Sequence, residues 1–251
     1  MTNQPKTEWI DFGFETVPVN EKQSRVANVF SSVASSYDIM NDLMSGGVHR
    51  LWKDALMDWL APSKGQVLID LAGGTGDIAL RFLKRGGSHV HVVDINPDMI
   101  SAGKKRRDLK AYSNQLDWTV ASAEDIPLQT ETAERVTISF GLRNVTNRDK
   151  ALSEAFRILK PGGRFCCLEF STVQNATFSK LYDLWSFNAL PRLGRMVARD
   201  EAAYRYLAES IRTFPVQHDL ARMMSEAGFA QVRFRNLSNG IAAIHSGWKL
   251  D

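Results

Sequence analysis

Val67-Leu68-Ile69-Asp70-Leu71-Ala72-Gly73-Gly74-Thr75-Gly76-Asp77 begins as a buried-strand run, passes an acidic residue and breaks into a glycine turn before a helix. A second apolar run, His89 to Val93, closes on Asp94, at the distance expected for an acidic residue that grips a ribose. In an open parallel sheet, ligands sit beyond the carboxyl ends of the strands. There glycine lets the backbone approach closely, and a carboxylate accepts hydrogen bonds from ribose hydroxyls. The pattern predicts a nucleoside-cofactor site that uses Asp70, Gly73, Gly74, Gly76 and Asp94.

The motif alone leaves two nucleosides open. Gly74-Thr75-Gly76-Asp77-Ile78-Ala79 satisfies the G-x-G-x-x-G/A pattern of dinucleotide binders, so an NAD-dependent oxidoreductase is one reading. Two features favour S-adenosylmethionine. Asp70 and Asp77 place carboxylates around the turn, where they would repel a pyrophosphate and attract an ammonium or sulfonium. Downstream, Phe229 to Leu237, Ser238-Asn239-Gly240 and Ile241 to Trp248 read as two strands joined by a tight Asn-Gly hairpin. An antiparallel hairpin closing a parallel sheet is the usual end of class I methyltransferase domains. The predicted fold is therefore α/β: a Rossmann-like, doubly wound class I methyltransferase sheet with a C-terminal hairpin and a helical lid.

The 251 residues, 44% hydrophobic and 24% charged, suffice for one substantial core. One structural domain is expected, with an arm and capping helices over 1–62 and the methyltransferase domain over 63–251. The net charge of +3 permits an anionic partner or a membrane surface without demanding one. Cys166 and Cys167 are neighbours in an apolar strand and point to opposite faces, which excludes a disulfide framework and indicates a reducing, intracellular compartment. No stretch approaches the roughly 18 apolar residues of a membrane span. The five histidines are scattered, with no cluster at metal-ligand spacing, so no metal is expected.

Residues 1–20 carry no sustained period and read as a mobile arm, docked in part through Trp9, Phe12 and Phe14. A helix is predicted over 21–36. Val48, Leu51, Trp52, Ala55, Leu56 and Trp59 trace the apolar face of a second, ending before Pro62. Strands at 66–71, 89–94, 116–121, 135–140 and 164–170 then alternate with helices at 77–85, 97–110 and 148–159, the mark of right-handed crossovers and a parallel sheet. Residues 172–227 interrupt this rhythm and read as helical throughout. Their first helix is aromatic, with Phe178, Tyr182, Trp185 and Phe187, and the insertion is expected to form an acceptor lid over the cofactor mouth. Lys104, Lys105, Arg106, Arg107 and Lys110 read as a solvated helix face. A non-catalytic RNA- or protein-binding module is the alternative they leave open, and no nucleic-acid partner is expected.

Four stretches carry a family resemblance. Tyr37-Asp38-Ile39-Met40-Asn41-Asp42-Leu43-Met44-Ser45, continuing to His49-Arg50-Leu51-Trp52, resembles the N-terminal signature of the ubiquinone/menaquinone biosynthesis C-methyltransferases. Arg157-Ile158-Leu159-Lys160-Pro161-Gly162-Gly163, continuing to Glu169-Phe170-Ser171, resembles their second signature. Ser139-Phe140-Gly141-Leu142-Arg143-Asn144-Val145 and Tyr204-Arg205-Tyr206-Leu207-Ala208-Glu209-Ser210-Ile211 match two further runs. The resemblance spans residue 11 to the C-terminus.

It implies methylation of a ring carbon on a polyprenylated quinol, 2-methoxy-6-polyprenyl-1,4-benzoquinol or demethylmenaquinol, with S-adenosylmethionine as donor. By position, Thr75, Asp94, Ser122 with Ala123, and Ser139 are the implied cofactor contacts. Ser122 departs from the family's Asn or Asp. Arg143, just beyond the fourth strand at the lip of the sheet, is expected to stabilise a phenolate electrostatically, and Asn144 to orient a hydroxyl. His49, Tyr37 and Asp38 are candidates for a proton relay. The tail favours a greasy groove or residence at a bilayer surface. A cytoplasmic protein peripheral to the inner membrane, or on the matrix side in an organelle, is expected. A homodimer and a quinone-biosynthesis complex are compatible with that placement.

Overall fold

The computed structural model describes residues 9–33, 42, 45–173 and 201–251. Tyr37, Asp38 and the aromatic helix expected near 178–190 lie outside them. The chain opens with an antiparallel hairpin, β1 (Trp9–Phe12) and β2 (Glu15–Pro18), followed by α1 (Val19–Val33) and α2 (His49–Leu60). The alternating part comprises β3 (Val67–Leu71), α3 (Asp77–Lys84), β4 (His89–Asp94), α4 (Pro97–Lys104), β5 (Leu116–Val120), β6 (Ala133–Ser139), α5 (Arg148–Ile158) and β7 (Leu159–Phe170). Then come α6 (Glu201–Arg212), α7 (Gln217–Glu226), β8 (Ala230–Leu237) and β9 (Ala242–Trp248).

The seven-stranded sheet has the order β5-β4-β3-β6-β7-β9-β8. Pairings from β5 to β7 are parallel, and β9 inserts antiparallel between β7 and β8. The order reverses between β3 and β6, and a crevice opens beyond their carboxyl ends. Period-two alternation sends Leu68, Val90, Val92 and Leu168 into a core with α2, α3 and α6 on one face. Ile69, Leu71, Val93 and Cys167 pack with α5 and α7 on the other.

Several expectations are corrected. The described part of the arm, from Trp9, is a hairpin that docks through Phe12, stacked on Tyr206 with centroids 4.3 Å apart, and through the Phe14 N–H, which donates to Glu209 Oε2 at 3.1 Å, while the Trp9 and Phe14 side chains are exposed. Strands of four residues are too short to show a period. In α2 the buried face is His49, Trp52, Lys53, Leu56, Met57 and Leu60, one residue on from the face traced by apolar side chains, and Leu51 is exposed. The helix expected over 97–110 stops at Lys104, and a 3-10 stretch, Arg107–Gln115, follows. The last hairpin pairs Leu237 with Ala242, so its loop has four residues rather than two. Ser238 is held there by the Trp52 indole N–H at 2.9 Å.

The scatter of histidines in sequence does not survive folding. His89 and His91 share one face of β4, and parallel register sets Asp117 of β5 beside His91. His89 Nε2 and His91 Nδ1 lie 2.8 and 3.4 Å from Asp117 Oδ2. A histidine–carboxylate cluster therefore exists where none was expected.

Candidate cofactor and active site

Two joined cavities open at the carboxyl ends of β3, β4 and β6, sharing Ala72, Gly74 and Phe140. The larger, about 740 Å³, lies between α1 residues Val26, Ala27 and Phe30 on one side and Asp94, Ser122 and Ala123 on the other. The smaller, about 380 Å³, is lined by Lys53, Asp70, Thr75, Asp77 and Ser139.

Asp94 is fixed by backbone: Oδ2 accepts the Gly74 N–H and Oδ1 the Asn96 N–H, both at 2.8 Å. Burial pushes its pKa up, against the pull of those two bonds. Asn96 caps α4 through its carbonyl oxygen, and its amide nitrogen donates to Ala27 O at 3.1 Å and Ser31 Oγ at 3.0 Å. Asn96, two residues beyond the end of β4 and itself bound to Asp94, thus holds α1 against the larger cavity.

Asp70 is fully buried, with Oδ1 accepting the Thr137 hydroxyl at 2.8 Å. Its Oδ2, and Ser139 Oγ on the adjacent strand, are buried with no hydrogen-bond partner among the described residues. Unpaired buried oxygens are costly, and two of them at one cavity mark a place for a donor. Burial pushes Asp70 up to about 7. Asp77, expected to offer a second carboxylate, is instead committed to protein: Lys53 Nζ lies at 2.8 Å and Arg81 Nε at 3.4 Å. Burial alone would raise the Asp77 pKa, but Lys53 and then Arg81 outweigh it and bring it to about 2.

The glycine turn separates the two nucleoside readings. Gly76 has φ +79°, and a Cβ there would lie 2.8 Å from the Trp118 ring. The second glycine of the turn is covered by an indole, where a dinucleotide binder needs bare backbone facing a pyrophosphate. At Gly73 a Cβ would meet Val92 Cγ1 at 2.7 Å and Asp70 Oδ2 at 2.8 Å, so only glycine leaves that oxygen clear. Ala72 (φ +50°) and Phe140 (φ +56°), which touch both cavities, are left-handed non-glycine residues. Such strain costs about 1–3 kcal/mol each and clusters at functional sites.

Arg143 lies in the short turn after β6 but is turned inward, away from the lip of the sheet: it is 1% exposed. Nη1 donates to Glu169 Oε2 at 2.9 Å and to Phe140 O at 2.6 Å, and the guanidinium sits 5.5 Å from the Phe170 ring centre. Nε and Nη2 have no partner among the described residues. Its charge is therefore compensated, while the three N–H bonds of Nε and Nη2 remain, and the side chain lines neither cavity. Asn144 lines the larger cavity and accepts the Tyr206 hydroxyl at 3.1 Å.

His49 lines neither cavity. It is 2% exposed, with Nε2 3.0 Å from Asp42 Oδ1 and Nδ1 unpartnered. Burial and then Lys53 lower its pKa to about 4, so it is a poor base at neutral pH. The described part of the insertion also differs from a lid. Tyr204, Leu207, Leu220 and Met224 are buried in the two cores, and no residue of 201–227 lines either cavity. Lys53 and Glu169 were missed by sequence reasoning; the one signal was a charged residue inside an otherwise apolar strand, at Glu169.

A doubly wound sheet ended by an antiparallel hairpin, with a backbone-held carboxylate at the end of β4 and unpartnered buried oxygens on β3 and β6 at its carboxyl edge, is the framework of an S-adenosylmethionine-dependent methyltransferase. Residues 18–249 match the model of the ubiE/COQ5 methyltransferase family, and the chain belongs to that family. It is 57% identical over 240 residues to the ubiquinone/menaquinone biosynthesis C-methyltransferase UbiE of Roseobacter denitrificans, covering 95% of this chain and 96% of that one. The enzyme of the same name from a Ruegeria species is 56% identical with the same coverage. Among solved structures, the [4+2]-cyclase SpnF superposes with a TM-score of 0.68 over 90% of this chain and 96% of its own, at 14% identity. At that identity the likeness is one of fold alone.

Proposed function

We propose that this chain is the S-adenosylmethionine-dependent C-methyltransferase of ubiquinone/menaquinone biosynthesis, acting on a ring carbon of a polyprenylated quinol. The carrying observation is the pair of joined cavities, Asp94 in one and the unpartnered oxygens of Asp70 and Ser139 in the other, in a chain matched by the family from 18 to 249. Bound there, S-adenosylmethionine supplies an electrophilic methyl on a positively charged sulfur.

The residues divide the work. Asp94 receives the ribose hydroxyls, and Ser122 and Ala123 flank the base. Asp70, Thr75 and Ser139 hold the methionine end, with Gly73, Gly74 and Gly76 shaping the turn. A ring carbon becomes nucleophilic when a neighbouring hydroxyl loses its proton; with a phenolic pKa near 10 this costs about 4 kcal/mol at neutral pH. A free cation about 4 Å away would offset most of that at an effective dielectric near 20. Glu169 removes much of the field and Arg143 lines neither cavity, so Arg143 serves as a positioning residue, its guanidinium tying the turn that carries Asn144 to Glu169 and Phe140. Asn144, fixed by Tyr206, orients the same ring. We assign His49 no part in proton transfer. Tyr37 and the lid stay in the proposal on the family's signatures alone.

Among the described residues, no helix is long and apolar enough to cross a membrane. Contact with a bilayer surface and with other quinone-pathway enzymes follows from the substrate's tail. The test is transfer of labelled methyl from S-adenosylmethionine to reduced short-tail analogues of both ring types. Label on a ring carbon is expected; label on oxygen, or none with either ring, would reject the reading.

A further inference from the structure

The His89, His91 and Asp117 cluster lies at the opposite end of β4 from Asp94. Three to five strand steps of about 3.3 Å put its histidines roughly 10–17 Å from Asp94 along β4, and none of its residues lines either cavity of the cofactor cleft. Both imidazoles are partly exposed, at 22% and 30%, and Asp117 is 57% exposed. The connection from β5 to β6 contains no helix to cover this part of the sheet. The cluster is therefore rigid in its backbone and open on its outer side.

We propose that His89, His91 and Asp117 form a divalent transition-metal site of the zinc class, with water in the remaining position. One donor atom from each residue lies within 4.8 Å of the other two. Any three such atoms have a common point no more than about 2.8 Å from each, and small side-chain rotations close that to the roughly 2.0–2.2 Å of zinc–nitrogen and zinc–carboxylate bonds. Two imidazoles and one carboxylate suit zinc, copper or nickel, whereas magnesium and calcium prefer oxygen alone. A His-x-His pair on one strand face needs no loop to bring its rings together: here they are 5.0 Å apart. Coordination replaces the existing hydrogen bond between His89 and Asp117, so no buried group is stranded. The ion would clip β5, the edge strand that leads into Ser122 and Ala123, to β4.

The test uses the full, untagged chain stripped with a chelator and titrated with Co²⁺, followed by its visible absorption and by displacement with Zn²⁺. One equivalent is expected, and His91→Ala should weaken it at least about tenfold, as loss of one of three ligands requires. Saturating Zn²⁺ should raise the melting temperature of the parent more than that of the variant, because stabilisation grows with affinity for the folded state. His89→Ala and Asp117→Asn, at more exposed positions, carry the same comparison if His91→Ala does not fold. Methyl transfer should be unchanged in all three. Absence of saturable binding by the parent, or equal binding by parent and variants, overturns the proposal.

Discussion

Glu169→Gln isolates the role of the ion pair behind the active site. Both side chains are essentially without solvent, at 0% and 1% exposure, with 2.9 Å between Arg143 Nη1 and Glu169 Oε2. The carboxylate also accepts the Arg143 N–H at 3.2 Å and the Phe170 N–H at 3.1 Å. Glutamine keeps one acceptor oxygen but leaves the guanidinium charge buried without compensation. Breaking such a pair costs about 3–5 kcal/mol, and the retained oxygen places this variant near the lower end. At about 2–4 °C per kcal/mol for a chain of this size, melting should fall by roughly 6–12 °C. Arg143→Met in the same background removes the stranded charge and should restore about 2 kcal/mol, while methyl transfer falls as the turn that carries Asn144 loses its tie to Phe140 and Glu169. Urea unfolding followed by circular dichroism gives the stability cycle, and labelled methyl transfer gives the activity. A single variant within about 1 kcal/mol of the parent, or a double variant no more stable than the single, would refute the buried-pair argument.

Two further outcomes are expected. Asp70 is a neutral acid below its raised pKa of about 7 and a carboxylate above it, so cofactor affinity should rise with pH between about 6 and 8, with proton release on binding. Asp70→Asn should flatten that dependence in calorimetric titrations; an unchanged slope would show that another group is responsible. Gly76→Ala forces a left-handed residue and sets a methyl 2.8 Å from the Trp118 ring and 3.1 Å from Leu109, and should destabilise by about 2 kcal/mol in urea unfolding, a value that near-parent stability would contradict.

Much of the architecture was legible because it rests on periodicity. Val67–Leu71 carries apolar residues on both faces and His89–Asp94 on the face of Val90 and Val92, each run entered from a glycine turn, and their placement leaves little freedom for a parallel sheet. Chain position also predicted which residues reach the carboxyl edge. It did not predict where side chains point. Arg143 sits at the expected position, yet the turn after β6 folds it against Glu169, 26 residues on, a pairing with no local sign. The α2 face was misread by one residue because it was traced through apolar side chains alone, which leaves out His49 and Lys53; burial of Lys53 makes sense only once Asp77 is seen at 2.8 Å. The histidine cluster was invisible for the same reason, since Asp117 approaches through strand register rather than through sequence.

The position of α1 bears on how the catalyst would reset. Val26, Ala27 and Phe30 wall the larger cavity, and the helix is fastened to the ribose side by Asn96 and by Ser31 donating to Asp98 at 2.8 Å. Donor that enters or leaves on this side must part those contacts. A handful of polar bonds, remote from the reacting carbon, thus sets how firmly one wall of the cavity is held shut.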